Sequence, residues 1–328
     1  MQDPSRVNQD FVLDFLVSNI LRASSDNKVS EGIILKILFE LKKSLDPGNP
    51  IGLLLPFYWY FHGPYSDVLA NQIHKMESKD ILEKQFLPKH RWAIYHLKNE
   101  VEYKEEYGLD EALARLQDIL RTVDFTKTSE YRESIYRRYA PFHFMNTFKV
   151  DFCDRLEYLN DKIEQNLFFQ NNELDTVIDK EIHQLIDLLY KSEIELSYHP
   201  IFELFQEYFS SYVTGAIRIL ENNSEESNSS RFYVKKEALE RSTKECWQTF
   251  AHGVRIPDEG HDPYYNTEVP RWTVMYKKSI DNYKNIIEGF YSQSINYIDF
   301  EKLASHPFDD QSRSILSSSL GGYLGFGE

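Results

Sequence analysis

Cysteine is nearly absent from this chain. Cys153 and Cys246 are the only two in 328 residues. They lie far apart, without metal-ligand spacing, which excludes a disulfide framework and a paired-thiolate zinc site and suits a reducing cytoplasm. There is no basic start followed by an apolar run, and no apolar stretch of membrane-spanning length. The expectation is a cytoplasmic chain that is neither exported nor inserted in a membrane. Positive charge is also in deficit, the formal net charge being −15. That excludes a protein that coats nucleic acid over its whole surface. The phosphate loop Gly-x4-Gly-Lys-Ser/Thr is missing, as is the Gly-x-Ser-x-Gly nucleophile elbow. The glycines of the terminal run 321–327 precede no helix, so they are not a dinucleotide loop, and no cofactor is implied.

Against these absences stands an N-terminal third with clear periodicity. Residues 8–23 carry Phe11, Val12, Phe15, Leu16 and Ile20 on one helical face, and residues 29–45 carry Ile33, Ile34, Ile37, Leu38 and Leu41 on another. Ser30 is the expected N-cap of the second helix, and Asp46-Pro47-Gly48-Asn49-Pro50 stops it. Residues 51–61 are short and very apolar, and read as a buried middle helix interrupted by Pro56. Phe61-His62-Gly63-Pro64-Tyr65-Ser66 then makes a turn, and Ser66 caps a helix with Val68, Leu69, Ile73 and Met76 inward and Asp67, Asn71, Gln72 and Lys75 outward. Residues 80–86 and 92–97 read as two strands flanking the polar turn Leu87-Pro88-Lys89-His90-Arg91.

This order resembles the winged-helix modules of prokaryotic, especially archaeal, proteins in which a Tyr/His-Gly-Pro-Tyr/Phe-Ser turn leads into the third helix. It is also similar, more distantly, to antitoxin-type domains with Gly-Pro at the corresponding turn. The resemblance covers residues 28–100 and implies an N-terminal winged helix with a small β-hairpin wing. Such modules serve both DNA binding and protein contact. In the DNA reading, Ser66, Asn71, Gln72 and Lys75 lie on the recognition face while Lys84, Lys89 and Arg91 hold the backbone. Residues 1–100 hold 12 Lys/Arg and 12 Asp/Glu, so the acidic excess falls entirely on the remainder.

Residues 101–328 read as a larger, acidic, all-helical domain. Helical period runs through 109–123, 129–139, 148–169, 174–192, 200–221, 232–252 and 269–297, and strand-like alternation is scarce. The polar run 222–230 reads as a mobile loop and 317–328 as a tail. Aromatic clusters at Phe142, Phe144, Phe148 and Phe152, and at Phe202, Phe205, Tyr208, Phe209 and Tyr212, read as core or dimer interface.

Three places invite a chemical reading. Arg91–His96 and Arg138–His143 have the Arg-x4-His spacing of helical ribonucleases, but Arg91 falls in the wing and Pro141 interrupts the other pair. In the loop 251–265, His252, Asp258, His261 and Asp262 offer imidazole and carboxylate donors that suit a divalent metal or a phosphate. The same composition is that of an ordinary polar loop set by proline and glycine turns. The sequence therefore reads as a mainly α, non-catalytic DNA-binding protein whose helical domain mediates dimerisation or partner docking. The alternatives are a protein-contact subunit or adaptor of a prokaryotic defence or chromosome-maintenance complex and, in a minor role, a helical-bundle nuclease.

Overall fold

The computed structural model describes residues 7–85, 93–169, 172–196, 199–221 and 230–296. The chain is mainly helical, with few strands. It divides into two compact units. The first takes residues up to Ile135 together with His261–Tyr265, and the second takes Tyr136–Gly260 and the long helix that follows Asn266. The division falls beyond the expected boundary at residue 100, because the helix after it belongs to the first core.

In the first unit, α1 (Gln9–Ala23) begins at Asn8, whose side chain accepts the Phe11 N–H at 3.2 Å. A short strand β1 (Lys28–Ser30) leads into α2 (Glu31–Ser44). Ser30 occupies the N-cap position without a side-chain capping bond. Besides the expected stripe, α2 buries Glu31, Gly32, Leu35, Lys36, Phe39 and Glu40, which makes it the central helix of the unit rather than a one-faced one. It is covered in part by α5 (Leu109–Thr122), whose Leu109, Ala112, Leu116 and Ile119 are buried, and by α6 (Thr128–Tyr139), whose Tyr131 hydroxyl donates to Glu40 at 2.7 Å.

The middle helix expected over 51–61 does not form. Only one turn, α3 (Pro50–Leu53), is helical, capped by Asn49, whose side chain accepts the Ile51 N–H at 2.8 Å. Pro56 supplies no N–H for a continuing helix, and the aromatic residues that follow favour a pleated surface. They form β2 (Tyr58–Tyr60), paired antiparallel with β3 (Gly63–Tyr65). Gly63 takes φ of 98° in this hairpin, a conformation that a side chain would strain. Helix α4 (Asp67–Ser78) follows, with the Ser66 hydroxyl accepting the Leu69 N–H at 3.3 Å. Strands β4 (Leu82–Gln85) and β5 (Ile94–Leu97) then pair antiparallel, and β1 joins the other side of β5 to give the sheet order β1-β5-β4. Residues 86–92, which include the expected turn, lie outside the described residues.

A distant segment completes this unit. His261 bridges to Tyr58, the Asp262 N–H donates to the Phe57 carbonyl at 2.8 Å, and the Asp262 carboxylate accepts the Phe57 N–H while pairing with Lys42 at 2.7 Å. Tyr265 packs its ring edge-on against Tyr58, with centroids 4.9 Å apart. The edge of β2 is thereby covered, as an otherwise open strand edge requires.

The second unit is all helical among its described residues. Its main elements are a π-helix at Met145–Cys153, α7 (Asp154–Phe169), α8 (Asn172–Glu195), α9 (Glu203–Glu221), α10 (Ser230–Val254) and α11 (Val269–Asn296). The expected loop at 222–230 and tail at 317–328 fall outside the described residues, apart from Ser230, which opens α10. The aromatic clusters form the core. Phe144, Phe148 and Phe152 stack in a ladder with centroid spacings of 5.0 and 5.3 Å, and Phe205, Phe209, Tyr212, Phe250 and Tyr283 close around it.

Candidate interface on helix α4 and the adjoining hairpin

The residues expected on the outer face of α4 separate into two sets. Asn71 and Lys75 are exposed, along with Asp67 and Ser78. Ser66 and Gln72 are not: both are buried, and this corrects the recognition face read from the sequence. Ser66 is the helix cap, its hydroxyl 3.4 Å from that of Tyr265. Gln72 faces α1, where its amide donates to the Asp14 carboxylate at 2.7 Å and to the Asp10 carbonyl at 3.4 Å. A step of one residue turns a helix by about 100°, enough to carry Gln72 off the face that holds Asn71 and into the seam with α1. Asp14, a carboxylate inside the apolar face of α1, was the sequence sign that a polar partner had to come from elsewhere.

Between α1 and α4 runs an open groove of about 600 Å³ lined by Gln9, Asp10, Val68, Asn71, Lys75 and Ser78. Its charges are largely matched at home. Lys75 pairs with Asp10 at 3.5 Å and Lys79 with Asp14 at 2.9 Å, while Lys98, next to the hairpin, pairs with Asp80 at 2.5 Å. On the hairpin, Lys84 holds its ammonium 6.0 Å from the centre of the Tyr95 ring. Lys89 and Arg91 lie outside the described residues.

The ligand loop does not assemble within either unit. His261 and Asp262 belong to the first unit, where Asp262 is committed to Lys42 and the Phe57 backbone; His252 and Asp258 belong to the second. Burial, together with the neighbouring Arg255, pushes the His252 imidazole down to about 3, so it is neutral, 3.4 Å from the Arg255 guanidinium. Arg255 in turn stacks over Trp272 at 4.9 Å. Among the described residues no group of three or more His, Cys, Asp or Glu is placed to hold a metal ion. Of the two Arg-x4-His pairs, Arg91 is outside the described residues. In the other, Arg138 stacks on the ring of Tyr139 at 5.3 Å and His143 is exposed.

Two buried ionisable groups on α2 escaped the sequence reading. Glu31 is fully buried, and neither carboxylate oxygen has a hydrogen-bond partner among the described residues; desolvation raises it to about 7. Lys36 is also buried, has a 3.3 Å bond to the Gly32 carbonyl, and is lowered to about 7 by desolvation with Arg132 adding repulsion. Nothing in a single sequence distinguishes such residues from the exposed charges usual near a helix start or middle.

Comparison with protein-family models, with curated proteins and with solved structures finds no match to this chain. Among the described residues no helix is long and apolar enough to cross a membrane.

Proposed function

We propose that the first unit is a winged-helix module working by protein contact, and that the chain is a non-catalytic subunit or adaptor of a larger assembly. The element order α1-β1-α2-α4-β4-β5 with the sheet order β1-β5-β4 supports the winged-helix reading, β4 and β5 being the arms of the wing. The observation that carries the protein-contact reading is the pairing of Lys75, Lys79 and Lys98 with carboxylates of the same unit. Phosphate contact draws its strength from cations that release counterions. Lysines already neutralised by Asp10, Asp14 and Asp80 contribute less of it, and a chain of net charge −15 adds a repulsive field.

The second reading is DNA binding. The exposed Asn71 on α4 and the basic residues Lys84, Lys89 and Arg91 of the hairpin favour it. A photo-crosslinking residue at position 71 of the full chain separates the two in cells. A discrete adduct that survives nuclease treatment and is removed by protease is the expected result, and a nuclease-sensitive adduct favours DNA. In parallel, binding to random duplex DNA across a salt series is expected to be absent at low salt. Binding that is lost in Lys89→Gln/Arg91→Gln would reverse the preference.

A further inference from the structure

The sheet register sets Val29, Tyr95 and Lys84 in a row across β1, β5 and β4. Tyr95 is fully buried, and Glu31, the first residue of α2, donates its N–H to the Ala93 carbonyl just before β5 at 3.1 Å. The Glu31 carboxylate is therefore held beside the strands of the hairpin with no hydrogen-bond partner among the described residues. Lys84 from β4 favours its ionised form, and its charge in turn raises the hydroxyls of Tyr95 on β5 and Tyr65 on β3. Around this set, α4 contributes His74, whose Nδ1 is 3.4 Å from the Tyr95 hydroxyl, and Glu77, 3.9 Å from His74. On β1, Lys28 stands opposite His96. Asp14 of α1 is bonded to Gln72 and Lys79, and Glu111 of α5 to Asn49.

An ionised carboxylate cannot stay buried without a counter-charge, so it keeps its proton or acquires a partner. We infer that Glu31 is a proton-operated latch beneath the hairpin: protonated, it leaves Lys84 over the Tyr95 ring; ionised, it draws the Lys84 ammonium across and pulls β4 toward the start of α2. The proton is released to solvent, and no other group changes its covalent state. The latch stands whether the hairpin meets a protein or DNA, so it does not rest on the proposed function. Desolvation places the midpoint near 7, inside the range a cell can reach.

The test is a carbon-13 NMR titration of the glutamate carboxyls of the full chain from pH 5 to 9, with the backbone amides of β4 and β5 followed alongside. The expected result is a Glu31 resonance, assigned by its loss in Glu31→Gln, that titrates within about one unit of 7. The amides of Lys84 and Tyr95 shift with the same midpoint, and that step vanishes in Glu31→Gln. Lys84→Met keeps the Glu31 titration, moves it upward, and abolishes the amide step. This second variant carries the test if Glu31→Gln does not fold. A Glu31 midpoint in the ordinary carboxylate range overturns the latch, as does a titration near 7 that the hairpin amides ignore, or an amide step retained in either variant.

Discussion

At the scale of the residue, two buried charges on one helix make opposite demands on pH. Glu31 is raised from 4.5 to about 7 in the folded chain, so the folded state holds its proton more tightly. Its contribution is fully present below 4.5 and is lost as pH rises through 7. Lys36 is lowered from 10.5 to about 7, so the unfolded state holds that proton more tightly, and stability is recovered as pH rises from 7 toward 10.5. The pair thus places a local minimum of stability near neutrality, where most proteins are at their best. Denaturant midpoints measured from pH 5 to 10 are expected to pass through that minimum. Lys36→Met is expected to flatten the alkaline limb and to raise stability at pH 7 on the order of 4 kcal/mol, the equivalent of a shift of this size. Glu31→Gln is expected to flatten the acid limb. A monotonic profile in the parent protein would show that at least one of the two groups finds water or a partner in solution.

At the scale of the element, the sequence was legible where one face of a helix repeats and opaque where backbone chemistry decides. The stripes of α1 and α2 predicted those helices to within a residue or two, Ser66 marked the start of α4, and β4 and β5 fall within the expected strands 80–86 and 92–97. The 51–61 segment misled because it is apolar throughout, and periodicity alone does not separate a buried helix from a buried strand. Pro56 argued against the helix, and the aromatic residues Tyr58, Trp59 and Tyr60 argued for the strand. The same limit applies to the candidate site. Asn71 and Lys75 were legible as outward-facing, but Gln72 was not legible as inward-facing, because its position depends on where α1 packs. Helix-to-helix spacing can be tested in the second unit at Gly215 of α9. An added Cβ there would meet the Phe290 ring at 2.7 Å. Gly215→Ala is expected to cost about 1–3 kcal/mol despite the better helix propensity of alanine, since α9 and the helix bearing Phe290 must move apart. An unchanged or higher melting temperature would mean that the ring slides aside without loss.

At the scale of the whole molecule, the fold of the first unit depends on a segment supplied from far along the chain. His261–Tyr265 closes the β2 edge, satisfies Lys42 and the Phe57 backbone, and packs Tyr265 on Tyr58. The sequence signalled this loop as a concentration of His and Asp, which offered a ligand site beside the reading as an ordinary polar loop; the Asp262 carboxylate serves a backbone amide and a lysine. Replacing residues 261–265 in the full chain by a glycine-serine segment of equal length removes these interactions together. It leaves the half-buried Lys42 without its counter-ion and the Phe57 N–H and carbonyl without partners. Such losses cost on the order of 1–3 kcal/mol each where the group stays buried. Hydrogen exchange of the altered chain is expected to lose protection at residues 57–65 and across the first unit. The amides of α9 and α11 keep theirs, because their aromatic core is built from residues the replacement does not touch. Equal loss in both units would show instead that the chain opens as one cooperative body, so that the division into two compact units describes its packing and not its stability.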